Sequence, residues 1–163
     1  MAFADFLEGI ESSSIGTAIR EAALYFPLLE SLHVIALVSV VGSIVVIDLR
    51  LLGLASRDQP VTNLNKDLLP WTWGAFAVAL ITGLLLFSST PGRYLDNAFF
   101  QVKFLFMFLA GVNMLLFHFV TYRTVQSWDT SEAIPVAARF AGGLSIAFWG
   151  LIIFFGRWVG FTL

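Results

Sequence analysis

Four long stretches of the chain contain no Asp, Glu, Lys or Arg and are filled mostly by apolar residues. They are residues 31–47, 68–90, 104–122 and 140–156. Their lengths fall within the roughly 17–25 residues that a membrane-spanning helix requires. Spanning strands would alternate polar and apolar positions, and these stretches do not. Because backbone groups in lipid must satisfy their own hydrogen bonds, the pattern predicts four spanning α-helices, at about residues 25–47, 68–87, 101–122 and 136–159.

The N-terminal region has a different pattern, with apolar residues at helical spacing opposite acidic ones. Such amphipathic helices lie in the membrane interface. The run ESSS at residues 11–14 interrupts the pattern, and either Ser13 or Ser14 is a suitable cap for a second short helix through Tyr25. We therefore predict an interfacial segment, residues 1–24, followed by an all-α four-helix transmembrane domain, residues 25–163. We expect no cleaved signal peptide, because no charged region directly precedes an apolar core here.

Composition agrees with an integral membrane protein in contact with the lipid bilayer. Only 12% of the 163 residues are charged and 58% are hydrophobic, whereas soluble domains are roughly 25% charged. The net charge of −2 and the lack of a basic run argue against a nucleic-acid partner. The chain has no cysteine, which excludes thiolate metal sites and iron–sulfur clusters.

The polar links between the predicted helices give a weak indication of orientation. Four crossings place both termini on one side of the membrane, here called side A, and the two longer links on side B. Side B carries a small excess of Lys and Arg, and cytoplasmic loops are enriched in these residues. We therefore expect a multi-pass protein of the bacterial inner membrane with both termini in the periplasm.

Both histidines of the chain, His33 and His118, lie inside predicted spans. Ionisable side chains are costly in lipid and normally face the interior of a bundle. On a helical projection, His33 shares a face with Glu30 and Asp48. The third helix carries a stripe of cationic, thioether and imidazole side chains, namely Lys103, Met107, Met114 and His118.

The fourth helix carries a second stripe, of glycines and Ile with Arg139 and Arg157 at its two ends. Each feature has an ordinary structural explanation. The glycines would allow close helix packing, the methionines would fill the core, and each histidine would be neutral and hydrogen-bonded to a neighbouring helix. These explanations account poorly for all the groups being aligned on facing stripes.

The combination suits haem held within a bundle, with His or His and Met as metal-binding residues. Lys103 and Arg157 would pair with the propionates, and Glu30 would orient His33. At 1.5 Å per residue, His33 lies roughly 12 Å and His118 roughly 26 Å from side A, so one iron bridging both is disfavoured. Two options remain for His33: pairing with Met107, or a five-coordinate haem. His118 would form a second site near side B with Met114.

Three segments resemble an uncharacterised family of small bacterial four-helix membrane proteins: FPLLESLHVIAL…DLRLLGL, NAFFQVKFLFMFLAGVNMLLFHF and FFGRW. More distantly, LHVIALVSVVGS is similar to the first-helix histidine motif of HemJ protoporphyrinogen oxidases and of the CopD copper-resistance membrane domain. The HemJ resemblance implies that His33 binds haem b and that Lys103 contacts a propionate or substrate. In HemJ proteins a histidine lies two residues before the matching lysine, where this chain has Gln101. A CopD-like role would use the His and Met residues as copper ligands.

These observations lead to one principal hypothesis and two alternatives. The principal hypothesis is an inner-membrane b-type haem protein for electron transfer or haem-linked redox chemistry, with a redox partner. The first alternative is a non-enzymatic anchor or assembly subunit of a larger complex, because the small loops leave little room for a substrate domain. The second is copper or small-solute transport by a homo-oligomer, since four helices alone form only a thin pathway.

Overall fold

A computed structural model describes residues 2–131 and 133–163, and this part of the chain contains helices and no strand. Three short helices are α1 (Ala2–Glu11), α2 (Ser14–Glu21) and α5 (Pro91–Asp96). The long helices are α3 (Tyr25–Leu51), α4 (Val61–Ser89), α6 (Ala98–Leu116) and α7 (Val136–Thr162). All four long helices are long and apolar enough to cross a membrane. For α6, the candidate span includes the turns that follow it. The predicted all-α, four-helix membrane architecture is confirmed.

The long helices extend beyond the predicted bounds. α3 continues to Leu51 instead of residue 47, and α4 begins at Val61 instead of residue 68. A charge-free window marks only the part of a helix that must lie in hydrocarbon, whereas backbone hydrogen bonding continues through the polar margin. α6 passes into a π-helical turn, Phe117–Thr121, and then a 3₁₀ segment, Tyr122–Ser127. The π turn carries His118, and such turns occur frequently at functional sites.

The long helices pack as two pairs, α3 with α4 and α6 with α7, and α3 also packs on α7 to join the pairs. The α3–α7 crossing depends on Gly142, where an added Cβ would lie 3.0 Å from the Asp48 carbonyl oxygen and 3.2 Å from the Leu51 Cβ. Among the described residues, α4 and α6 have at most slight backbone contact. A wider gap therefore separates the backbones of α4 and α6 than those of the two closely packed pairs.

The short N-terminal helices cover the side A end of the bundle. Ser13 caps α2 by accepting a hydrogen bond from the Gly16 N–H at 3.1 Å, at the break that the ESSS run predicts. A Cβ at Gly16 would lie 2.6 Å from the Ser88 carbonyl oxygen, so α2 rests directly on the end of α4. The second helix ends at Glu21, one turn earlier than predicted.

The side B end is held together by a buried arginine. Arg50 is 1% exposed, and it donates hydrogen bonds to the carbonyl oxygens of Gln59 at 2.8 Å and Asp129 at 3.0 Å. The Asp129 carboxylate in turn accepts from the Thr62 N–H at 2.9 Å and the Thr62 hydroxyl at 2.6 Å. Arg50 therefore joins the end of α3 to both side B links instead of projecting into the aqueous margin.

Candidate functional site

The His33 side chain is held in one orientation by two neighbouring residues of α4. A Cβ at Gly83 would lie 3.0 Å from the imidazole Cε1, so the ring packs flush against this glycine. The imidazole Nδ1 is 2.9 Å from the Thr82 hydroxyl oxygen. That hydroxyl donates its single proton to the backbone, with the Val78 carbonyl oxygen at 2.7 Å.

This hydrogen-bond network favours one tautomer of His33. The Thr82 hydroxyl has one proton, and a carbonyl oxygen of α4 is in position to accept it, so all three groups are satisfied when the hydroxyl accepts from the imidazole. Nδ1 of His33 therefore carries a hydrogen and donates it to Thr82. The neutral ring keeps the lone pair on Nε2, which is the form of imidazole that binds a metal.

Two further charged residues lie on successive turns of one α7 face. A Cβ at Gly156 would lie 3.7 Å from the Lys103 ammonium nitrogen, and one at Gly160 would lie 3.8 Å from Glu30 Oε1. In residues 2–131 and 133–163, the single ion pair joins Arg20 to Glu11. Glu30 and Lys103 thus face the same helix about one turn apart without pairing to each other.

An aromatic cluster closes the side A end of the gap between α4 and α6. The rings of Phe87 and Phe100 are stacked with centroids 5.9 Å apart, and Tyr94 packs 5.2 Å from Phe100. Burial, with a smaller contribution from the nearby charge of Glu30, raises the pKa of Tyr94 to about 12. Glu30, His33 and Lys103 therefore lie at the end of the bundle that these rings cover.

Below this layer, on the side B half, a cavity of about 240 Å³ lies between the four long helices. Met107, Met114 and His118 all line it, as the predicted stripe on the third helix requires. His33 is not among the lining residues. The structure therefore groups Met107 with Met114 and His118 along one cavity, and the lining of this cavity does not extend to His33.

The cavity contains polar groups that lack partners. Asp48 is 5% exposed and Asn65 is 7% exposed, and both line the cavity. Among the described residues, Asp48 Oδ2 and Asn65 Nδ2 have no hydrogen-bond partner. His118 donates from Nδ1 to the Met114 carbonyl oxygen at 3.0 Å, and its Nε2 has no hydrogen-bond partner in residues 2–131 and 133–163.

The structure places part of the predicted stripe on the fourth helix on the outside of the bundle. Arg157 is exposed, with its guanidinium carbon 4.5 Å from the centre of the Phe161 ring, and Gly150 is also exposed. The α7 face that meets the bundle instead carries Gly142 and Gly156. Glycines occur on both faces of this helix, so periodicity alone does not indicate which face is packed.

Several site residues were not identified from the sequence. Thr82 and Gly83 position His33, and Asn65 and Ser145 line the cavity beside Asp48. A signal was available at the start of the second helix and in the polar residues just before its predicted beginning. There, the polar residues Asn65 and Thr72 are seven positions apart on one face, and both are buried.

Comparison with known proteins identifies the family and nothing further. Residues 6–162 match the model of the "Family of unknown function (DUF6644)", and the chain belongs to this family. No curated protein and no solved structure matches the chain. The distant resemblance to HemJ and CopD has no support from these comparisons.

Proposed function

We propose that this member of the family is a membrane redox protein that holds b-type haem through His33. The observation that carries the proposal is the hydrogen bond from His33 Nδ1 to Thr82, which leaves Nε2 as the basic nitrogen. Metal-binding histidines almost always donate their other ring N–H in this way. Bound haem would supply one-electron redox chemistry.

The surroundings of His33 support the same proposal. Lys103 is partly buried against Gly156 and has no ion-pair partner in the described part of the chain, so its ammonium is available to a propionate. Glu30 is exposed at the membrane margin, where its carboxylate is in contact with water. Arg157 packs over Phe161 on the outside of α7, so the propionate role falls to Lys103.

The central cavity is too small to enclose haem. A cavity of roughly 150 Å³ holds benzene, and one of about 240 Å³ has no room for a four-ring macrocycle. We therefore assign the proposed haem to His33, outside this cavity, and not to His118. For the membrane, we propose the bacterial inner membrane with side B cytoplasmic, on the slight excess of Lys and Arg in the side B links.

A reduced-minus-oxidised optical spectrum tests the proposal. The protein is expressed with ample haem, purified in mild detergent and reduced with dithionite. We expect Soret and α bands that are lost in His33→Ala and retained in His118→Ala, the matched histidine control. Thr82→Val removes the acceptor for Nδ1 at nearly constant volume, and we expect haem affinity to fall about 10–100-fold.

Two results would count against the proposal. Pure wild-type protein without haem bands would eliminate it, and a stoichiometric partner recovered with such protein would favour an assembly subunit instead. Full haem content in His33→Ala would move the ligand to another residue. Both readouts concern haem content alone, so they do not depend on knowing the redox partner.

Copper binding is a second candidate, supported by one observation. Met107, Met114 and His118 line the same cavity, and thioether and imidazole ligands suit copper. Elemental analysis of protein purified after growth with copper tests this candidate. If the candidate is correct, we expect a Met107→Leu, Met114→Leu double variant to lose copper. Unchanged haem content in the same variant would show that the copper and haem sites are separate.

A further inference from the structure

The cavity between the four long helices contains two polar groups that the proposed haem site does not use. Asp48 lies three residues before the end of α3, and Asn65 lies four residues after the start of α4. The two helices are antiparallel neighbours, so these positions are at nearly the same depth. Both side chains line the cavity, and both are more than nine-tenths buried.

Each of these residues has a polar atom with no partner among the described residues: the acceptor Asp48 Oδ2 and the donor Asn65 Nδ2. Buried polar groups in native proteins are almost always hydrogen-bonded. The nearest arginine along the chain, Arg50, donates to Gln59 and Asp129 instead. Asp48 Oδ2 therefore lacks a donor and Asn65 Nδ2 lacks an acceptor within the same cavity. This arrangement indicates a ligand that supplies both a donor and an acceptor.

The rest of the lining shows what kind of molecule carries these groups. Most of the cavity wall is apolar, and it includes the aromatic side chains of Trp73, Phe76 and Trp149, which favour stacking with a flat ring. The volume of about 240 Å³ exceeds the roughly 150 Å³ that accommodates benzene. This difference leaves room for one ring with small substituents.

Charge and hydrogen bonding exclude other ligand classes. In the described part of the chain, no Lys or Arg lines the cavity, so an anion would have no counter-charge. An ammonium group would donate to Asp48 but could not accept from Asn65. A phenolic hydroxyl both donates and accepts, so a single one can satisfy both residues.

We propose that this cavity binds the hydroxylated aromatic ring of a lipid-soluble phenol or hydroquinone. The ring hydroxyl donates to Asp48 Oδ2 and accepts from Asn65 Nδ2, and the ring lies among the aromatic and aliphatic side chains. The molecule enters from the bilayer through the gap between α4 and α6. Binding does not depend on haem at His33, because the two sites share no residue.

Thymol and p-cymene form a matched pair of probes, because they share a carbon skeleton and p-cymene lacks the hydroxyl. Radiolabelled thymol is bound to protein in lipid nanodiscs and counted by scintillation proximity, with empty nanodiscs as background and each probe as competitor. We expect saturable thymol binding at one site per chain. We expect p-cymene to compete about tenfold less well, the factor for about 1.4 kcal/mol, within the range for hydrogen bonds.

Three variants and a control test where the probe binds. Asp48→Leu and Asn65→Leu each remove the polar atoms at similar side-chain shape, and we expect each to weaken thymol binding about tenfold. Gly111 lines the cavity, and a Cβ there would meet no atom within 4 Å, so Gly111→Leu fills the cavity and should abolish binding. Gly42 has equally open space but lies outside the cavity lining, so Gly42→Leu should bind as wild type does.

Several outcomes would overturn the proposal. Equal competition by thymol and p-cymene would indicate a pocket for acyl chains, and the absence of saturable thymol binding would indicate a cavity filled by lipid or water. Gly111→Leu protein that is monodisperse and still binds thymol would place the probe elsewhere. The p-cymene comparison uses wild-type protein, so it remains decisive if Asp48→Leu fails to fold. The same assay on His33→Ala protein without haem separates this proposal from the haem proposal.

Discussion

Replacing Arg50 by methionine tests whether the side B end of the bundle is held by this one buried guanidinium. The side chain is 1% exposed and donates to two backbone carbonyl oxygens, on Gln59 and Asp129. Methionine retains most of the aliphatic stem and removes every donor. The variant therefore leaves both carbonyl groups without this partner while changing the packed volume little.

The expected loss of folding stability follows from the number of hydrogen bonds that the substitution removes. A hydrogen bond to a charged group contributes about 1.5–3 kcal/mol, so two such bonds give about 3–6 kcal/mol. Some of this is recovered if water reaches the exposed link residue Gln59, so we expect a net loss of about 3 kcal/mol. For a chain of this size, that loss corresponds to a decrease of about 10 °C in melting temperature.

Thermal unfolding in detergent, followed by intrinsic tryptophan fluorescence, measures the effect. Trp128 is 4% exposed and belongs to the side B core cluster, so the summed emission of the five tryptophans includes a signal from this end of the bundle. Lys66→Met is the matched control, because Lys66 is an exposed cation on α4, and its melting temperature should stay within about 2 °C of wild type. An Arg50→Met protein that melts with the wild type would refute the structural role given to the guanidinium.

Three further predictions concern helix packing and the side A end. Gly142→Leu should prevent the close α3–α7 crossing and give aggregated protein in size-exclusion chromatography, whereas Gly150→Leu, at an open position on the same helix, should remain monodisperse. Gly16→Leu should displace α2 from the Ser88 carbonyl oxygen and speed proteolysis of the N-terminal helices. Identical cleavage rates in the wild type and the variant would contradict this prediction. In alkaline titration at 295 nm, Tyr94 should ionise near pH 12. Its pKa in the folded protein is raised above the ordinary tyrosine value of 10.0. Its contribution to stability is therefore complete below about pH 10 and is lost as the pH rises towards 12. A Tyr94→Phe variant that keeps the late step in the titration would assign that step to another tyrosine.

The sequence alone predicted the four-helix membrane architecture, because long charge-free apolar stretches have few other stable solutions. Helix ends were less predictable: α4 begins at Val61, seven residues before the predicted position, since polar residues at the margin stay helical outside the hydrocarbon. The cap at Ser13 was recognisable because capping depends on a local side chain.

The candidate site was only partly predictable, because it depends on which helices are neighbours. The alignment of Met107, Met114 and His118 followed from helical periodicity, and all three do line one cavity. The contact of His33 with Thr82 and Gly83 depends on the register of α3 against α4, which periodicity within one helix does not contain. The burial of Arg50 has the same origin, since its partners lie on two links that only the folded chain brings together.

The gap between α4 and α6 has a consequence for how this protein samples its surroundings. An apolar molecule that reaches the cavity laterally is dissolved in lipid, so its relevant concentration is its mole fraction in the bilayer and not its concentration in water. Partitioning raises that quantity for hydrophobic molecules, so even weak intrinsic binding leads to high occupancy. Occupancy would then follow changes in membrane composition, and the protein would report the content of the bilayer in which it resides.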